Sequence, residues 1–157
     1  GCMNVDKPKN QIFDFESQLH YWANRLGFLL RKEIHLRFKA DGIDLRAEEM
    51  ALLMNLWQQP GQTPSALADK TIRDRTTVTR FLDGMEKKDL VTREVDPKDR
   101  RRVIVKATES SKRLQPKVIA EIRKLIEQSL DGISAEDVET ARRVLMKITN
   151  TLLGMRS

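Results

Sequence analysis

The chain has 157 residues, a formal net charge of +6 and a pI near 9.6, which suits one domain or two small lobes and favours a polyanionic partner. Nothing in it approaches the ~20 uninterrupted apolar residues that span a bilayer, and the start lacks the apolar segment of a secretion signal. Its single cysteine, Cys2, excludes a disulfide within the chain, so a cytoplasmic (bacterial) setting is expected. Gly1-Cys2 ahead of Met3 reads as a vector remainder, and residues 1–9 are expected to be disordered or tag-derived.

Periodicity predicts a long amphipathic helix from Ile12 to about Ala40, with Phe15, Leu19, Trp22, Ala23, Leu26, Leu29 and Leu30 at helical spacing and Gly42 as its stop. A second helix is expected from about Arg46 to Gln59, with Met50, Leu53, Met54 and Trp57 on one face and Pro60-Gly61 closing it. Thr63 offers an N-cap oxygen to a short third helix, and Pro64 takes the first helical position, where a missing N–H costs nothing. Asp74 caps a fourth helix running to about Lys88, whose apolar stripe is Val78, Phe81, Leu82 and Met85. The opposite face carries Thr76, Arg80, Asp83 and Lys87, flanked by Thr77 and Thr79.

Two β-branched runs come next, Thr92 to Val95 and Val103 to Val105, separated by Asp96-Pro97-Lys98-Asp99-Arg100-Arg101-Arg102. Six basic residues against three acidic ones give the segment from Arg93 to Lys106 a net +3. Downstream, Thr108 caps a helix bearing Leu114, Val118, Ile122, Leu125 and Ile126, in which Pro116 predicts a kink or break. Asp131-Gly132 ends it, and Ser134 to Asp137 opens the last helix with a Ser-x-x-acid cap. Val138, Ala141, Leu145, Ile148 and Leu152 then recur at 3, 4, 3, 4, a coiled-coil-like seam. That seam serves either the chain's own core or a second copy, and the second is expected because a palindromic site needs two readers.

Helix, turn, helix and basic hairpin in that order make a winged helix-turn-helix, a device for holding double-stranded DNA. Short hydroxyls and a cation near a helix N-terminus suit base edges and phosphates, which nominates Arg75, Thr76, Thr77, Thr79 and Arg80. Two strands hold Lys98, Asp99, Arg100, Arg101 and Arg102 out where cations reach a minor groove. A basic run is often only a solvated turn; its place directly after a helix-turn-helix favours the groove. From Asp74 to Leu90 the charges cancel, so affinity should rest on the wing and helix ends.

The runs from Asp74 to Asp83, from Leu90 to Arg93 and from Asp96 to Thr108 resemble the MarR/SlyA family of bacterial transcription regulators. An Asp-x-Arg recurs in that family's wing and here matches Asp99 and Arg101, which implies that Arg101 enters the minor groove while Asp99 orients it. The motifs cover about Asp44 to Thr108. Asp89 stands where the family often has Gly, and so must close its helix in a left-handed conformation; Ala107 replaces a frequent Leu. The resemblance implies a homodimer whose terminal helices interleave, giving a fold that is mainly α with a small β-hairpin wing. Residues 44–108 would be the DNA-binding lobe, and 10–43 with 109–155 the helical dimerisation lobe.

Catalysis is not expected. The smallest gap between glycines is fifteen positions, Gly27 to Gly42, so a glycine-rich phosphate loop is excluded. Nucleophile-elbow and His-Glu-x-x-His patterns are missing. His20 and His35 fall on one helix some 22 Å apart, too far for one metal, and read as partly buried contacts. Pairs such as Glu48-Glu49 read as solvated faces, and neither metal nor cofactor is expected. MarR relatives often bind an aromatic or anionic effector beside the winged helix. Trp22, Arg25, His35, Met54 and Trp57 come from elements that would line such a crevice, with core packing as the alternative for Trp22, Met54 and Trp57. The expected function is a sequence-specific transcription regulator, a repressor on a pseudo-palindromic operator. The alternative is a winged-helix module that docks an acidic protein.

Overall fold

The structure is a computed structural model that describes residues 12–156. In chain order it contains a 3-10 turn at Phe15–Ser17, α1 Leu19–Ala40, α2 Ala47–Gln58, α3 Pro64–Thr71, α4 Arg75–Lys87, β1 Val91–Val95, β2 Val103–Ala107, α5 Glu109–Ser129 and α6 Ala135–Gly154. The architecture is mainly α with one antiparallel hairpin. Among the described residues no helix is long and apolar enough to cross a membrane. Two compact units divide between Ala47 and Glu48.

In the first unit α1 starts at Leu19, seven positions later than Ile12. The Trp22 indole donates to the Glu16 carbonyl at 2.8 Å, and Ser17 Oγ to the Asp14 carbonyl at 2.9 Å. These bonds satisfy polar groups in a turn and draw the preceding chain out of helical register. Edge-to-face contacts of Phe13 with Phe15 and of Tyr21 with Trp22 complete that turn. At the other end Gly42 adopts φ +69°, and the N–H of Ile43 reaches back to the Phe38 carbonyl at 2.8 Å, the expected glycine stop. Phe38 is the only buried residue of α1. His20 and His35, predicted as partly buried contacts, are exposed, because α1 buries only Phe38 and leaves most of its surface uncovered.

The second unit is organised around Leu52, Leu53, Leu56, Leu67, Val78, Leu82, Met85, Val91 and Val105, all buried. Three of the four residues of the predicted stripe on α4 are in that core, and Phe81 is half-buried. Thr63 Oγ1 accepts from the Ala66 N–H at 3.1 Å and caps α3. The turn to α4 runs through Ile72 at φ 55°, a left-handed conformation that a β-branched residue adopts at a cost of about 1–2 kcal/mol. Asp74 then caps α4, accepting from the Thr77 N–H at 2.7 Å and the Thr77 hydroxyl at 2.9 Å.

Asp89 closes α4 at φ 57°, as its place required. It also accepts from the Ser110 hydroxyl at 3.0 Å, and its carbonyl accepts from Thr108 Oγ1 at 2.6 Å, so one turn ties α4 to α5. The hairpin pairs Val91 with Ala107 through Val95 with Val103, somewhat longer than the β-branched runs alone predict. Gln62 adds a single antiparallel bridge to β2: its N–H donates to the Val105 carbonyl (3.1 Å) and its own carbonyl accepts from the Val105 N–H (2.8 Å).

Two expectations are corrected in this unit. Of the kink or break expected at Pro116, the break does not occur, since α5 runs through it as one helix; a proline there costs about 3 kcal/mol, but Ser111, Val118 and Leu125 are buried on either side of it and hold both halves in one helix. Glu49, read as solvated, is buried and paired with Lys88 Nζ at 2.9 Å. Burying a carboxylate requires such a partner, and the partner comes from the far end of α4. Ser134 caps α6 through the Asp137 N–H at 3.1 Å. None of the twenty residues of α6 is buried.

Candidate nucleic-acid interface

The outward face of α4 is set by its N-terminal cap and its apolar stripe. Burial of Val78, Leu82 and Met85 turns Arg75, Thr76 and Arg80 to solvent, with Thr77 and Thr79 half-covered. Arg75, Thr76, Thr79, Arg80 and Asp83 line one open concavity of about 420 Å³. Thr77 stands apart from these, because its hydroxyl donates to Asp74 and serves the cap. Those bonds from Thr77, backbone first, hold the Asp74 carboxyl below its ordinary range, and the Arg80 charge adds to the effect. Among the described residues no ion pair engages Arg75 or Arg80, which leaves both guanidiniums presented to solvent at the start of the helix.

The wing tip is a nested pair of turns. Asp96 N–H donates to the Arg102 carbonyl (2.9 Å) and Arg102 N–H to the Asp99 carbonyl (2.9 Å), while Asp99 N–H reaches Asp96 O at 3.2 Å. Both aspartates act as Asx anchors: Asp96 Oδ1 accepts from the Lys98 N–H at 2.9 Å and Asp99 Oδ1 from the Arg101 N–H at 3.1 Å. Asp99 Oδ1 also lies 3.4 Å from Arg101 Nε, so the carboxylate grips the base of an arginine whose side chain is 92% exposed. Arg102 lies 3.9 Å from Asp96. Lys98 and Arg100 have no ion pair among the described residues. All five wing residues named from sequence therefore sit on one hydrogen-bonded tip.

Arg93 does not join them. Its side chain is only 25% exposed and lies against α4, where Nε donates to Glu86 Oε2 at 2.8 Å and Nη2 to Asp83 Oδ1. The hydrogen bonds it donates to Asp83 first and Glu86 second raise its pKa further. Sequence reasoning counted Arg93 among the cations of the wing. The signal it missed is that Asp83 and Glu86 are spaced i, i+3 on the helix preceding the strand. Gln62 was missed as well: its side-chain amide donates to the carbonyls of Asn55 (2.9 Å) and Gln59 (2.8 Å) and accepts from Lys70 Nζ (2.9 Å), all while buried.

The residues suggested for an effector crevice belong to different units. In the first, Trp22 is exposed with its indole engaged by Glu16, and Arg25 lies over the Tyr21 ring at 5.9 Å. His35, with Lys39, Gly42, Ile43, Asp44, Leu45 and Arg46, lines a cavity of about 490 Å³. In the second, Met54 and Trp57 are half-buried, and the buried Trp57 Nε1 has no hydrogen-bond partner among the described residues.

The model for the MarR family matches residues 45–103, from just before α2 to the start of β2. This winged helix is a MarR-family domain. Solved structures repeat the fold over most of the chain. A MarR-family transcriptional regulator from Rhodococcus sp. RHA1 is 22% identical, with 87% of this chain and 96% of that one covered and a TM-score of 0.76. MepR of S. aureus, solved as a complex with DNA, is 23% identical over 87% of this chain and 98% of its own, with a TM-score of 0.76. BpsR of Bordetella bronchiseptica, whose DNA binding is regulated by 6-hydroxynicotinic acid, is 18% identical over 88% and 98%, with a TM-score of 0.78. The MarR-family domain thus spans α2 to the start of β2, and the solved structures share its winged-helix fold.

Proposed function

We propose that this MarR-family chain is a repressor that binds a pseudo-palindromic operator as a homodimer in the cytoplasm and is released by a small aromatic or anionic effector. The observation that carries the reading is the pairing of two presented elements on one unit: the α4 face with Arg75, Thr76, Thr79 and Arg80, and the wing tip on which Asp99 holds an almost fully exposed Arg101. The first suits a major groove, where hydroxyls and cations meet base edges and phosphates; the second suits the adjacent minor groove. Arg100, Arg102 and Lys98 supply further phosphate contacts.

Assembly is supported by α6, twenty residues with none buried, and by α1, with one. Val138, Leu145 and Ile148 of the seam are half-covered, and Ala141 and Leu152 exposed. Such apolar helices are stable in water when a second copy covers them. Two readers then bind half-sites about 34 Å apart, or a multiple of that. Regulation by an effector rests on the relatives, among them BpsR and its 6-hydroxynicotinic acid. The chain acts by binding and not by catalysis.

Selection from a pool of randomised duplexes, with a salt titration on the enriched sequence, tests this. The expected result is an inverted repeat with log affinity falling steeply against log salt. Failure to enrich any duplex, with binding insensitive to salt, would overturn the reading and favour an acidic protein partner.

A further inference from the structure

The reading face of α4 carries a charge of the wrong sign. Asp83 lines the same concavity as Arg75, Thr76, Thr79 and Arg80, and its side chain is 55% exposed. Glu86, one turn on, is 43% exposed. A phosphate chain seated on this face would meet two carboxylates beside the cations that attract it, and like charges brought together at an interface cost several kcal/mol. Asp83 is also three residues from Arg80, the helical spacing at which a carboxylate captures an arginine. In the structure it does neither. Arg93 reaches from β1 across to α4, takes Asp83 on Nη2 and Glu86 on Nε at 2.8 Å, and leaves Arg80 without an ion pair among the described residues.

Resting on the DNA-binding reading, we infer that Arg93 is a positioning residue for that interface: an internal counter-ion that neutralises Asp83 and Glu86 and keeps Arg80 available for phosphate. It makes no DNA contact of its own, because its side chain is three-quarters covered and its guanidinium fork is already occupied by two carboxylates. The two acids disfavour loose binding, since they repel any polyanion that does not also engage Arg80 and the wing.

The test uses the full chain, the duplex enriched by the parent, and three variants: Arg93→Gln, the pair Asp83→Asn with Glu86→Gln, and all three changes together. Parent binding to the enriched duplex, with its salt slope, is measured first; its absence would remove the DNA reading itself, whatever the variants do. Arg93→Gln is expected to bind about tenfold more weakly or worse, with its thermal unfolding recorded alongside. Asp83→Asn with Glu86→Gln should bind mixed-sequence duplex more tightly than the parent, with a steeper salt slope, because it frees a cation. The triple variant, neutral at all three positions, should return to within about threefold of the parent on the enriched duplex, as expected when removed charges compensate.

A triple variant as weak as Arg93→Gln, with a salt slope reduced by about one, would make Arg93 a phosphate contact and overturn the inference. An Arg93→Gln variant as tight as the parent would overturn it too. If Arg93→Gln fails to fold, the acid pair and the triple variant still decide: weakened binding to mixed-sequence duplex in the acid pair would show that the clamp serves geometry and not charge.

Discussion

Replacing Arg101 by alanine separates DNA contact from folding more cleanly than any other change in the chain. The side chain is 92% exposed, and its one ionic neighbour among the described residues is Asp99 Oδ1 at 3.4 Å. The tip is held instead by backbone bonds, Asp96 N–H to the Arg102 carbonyl and Arg102 N–H to the Asp99 carbonyl, each 2.9 Å. Those survive the substitution, so stability should change by less than about 0.5 kcal/mol, the range of an ordinary surface change. An arginine seated in a groove contributes about 1–3 kcal/mol per site. A dimer on a palindrome loses it twice, about 2–6 kcal/mol, which is roughly thirtyfold to beyond ten-thousandfold in affinity. Fluorescence anisotropy on the enriched duplex at fixed salt reads the loss, and urea unfolding reads the fold. Asp99→Ala should lose less, since Arg101 keeps its charge and gives up only the grip on its backbone and Nε. Unaltered affinity for Arg101→Ala would refute the placing of the wing on DNA, and a large drop in stability would refute the account of the tip.

Four other outcomes are expected. Thr76→Val or Thr79→Val should change the bases enriched from a random pool, whereas Arg80→Ala should weaken all sequences alike and reduce the salt slope by about one; identical motifs from the threonine variants would count against α4 as the reader. Glutamate at both Leu145 and Ile148 puts unpaired charge into a contact meant to be dry, so sedimentation should show the dimer lost; a parent that is monomeric at micromolar concentration yet binds an inverted repeat fully would contradict the assembly. Gln62→Ala removes three side-chain hydrogen bonds from a buried position, about 3 kcal/mol in total and measurable as a fall in urea midpoint; a loss under about 1 kcal/mol would mean that water replaces them. Finally, Asp74 has a folded pKa below its ordinary 3.8, so its cap contributes fully above that value and is lost as pH falls through the lower folded one. Asp74→Asn keeps the cap but cannot titrate, and should flatten that acid limb of the stability profile; an unchanged limb would assign it to other carboxylates.

The local features were legible because their causes are local. Thr63, Asp74, Thr108 and Ser134 each cap the helix they precede by bonding an N–H three residues on, so a short window contains the whole interaction. The stripe on α4, the left-handed Asp89 and the Asp99–Arg101 pair are likewise set within a few residues. Where sequence misled, partners were distant or a short signal competed with a long one. The periodicity that extends a helix back to Ile12 says nothing of an indole that captures the Glu16 carbonyl. Pro116 predicts a break from its own chemistry, and packing of Val118 and Leu125 overrides it. Glu49 finds Lys88 thirty-nine residues away, and Gln62 pairs with Val105 across the α3–α4 hairpin of helices. Arg93 looks like one more wing cation until β1 lies beside α4. Charge along the chain pointed to a polyanionic partner; which of its arginines stand exposed, and which one pairs with the acids of α4, was decided only when tertiary packing chose their neighbours, because an ion pair depends on distance in space and not on separation in sequence.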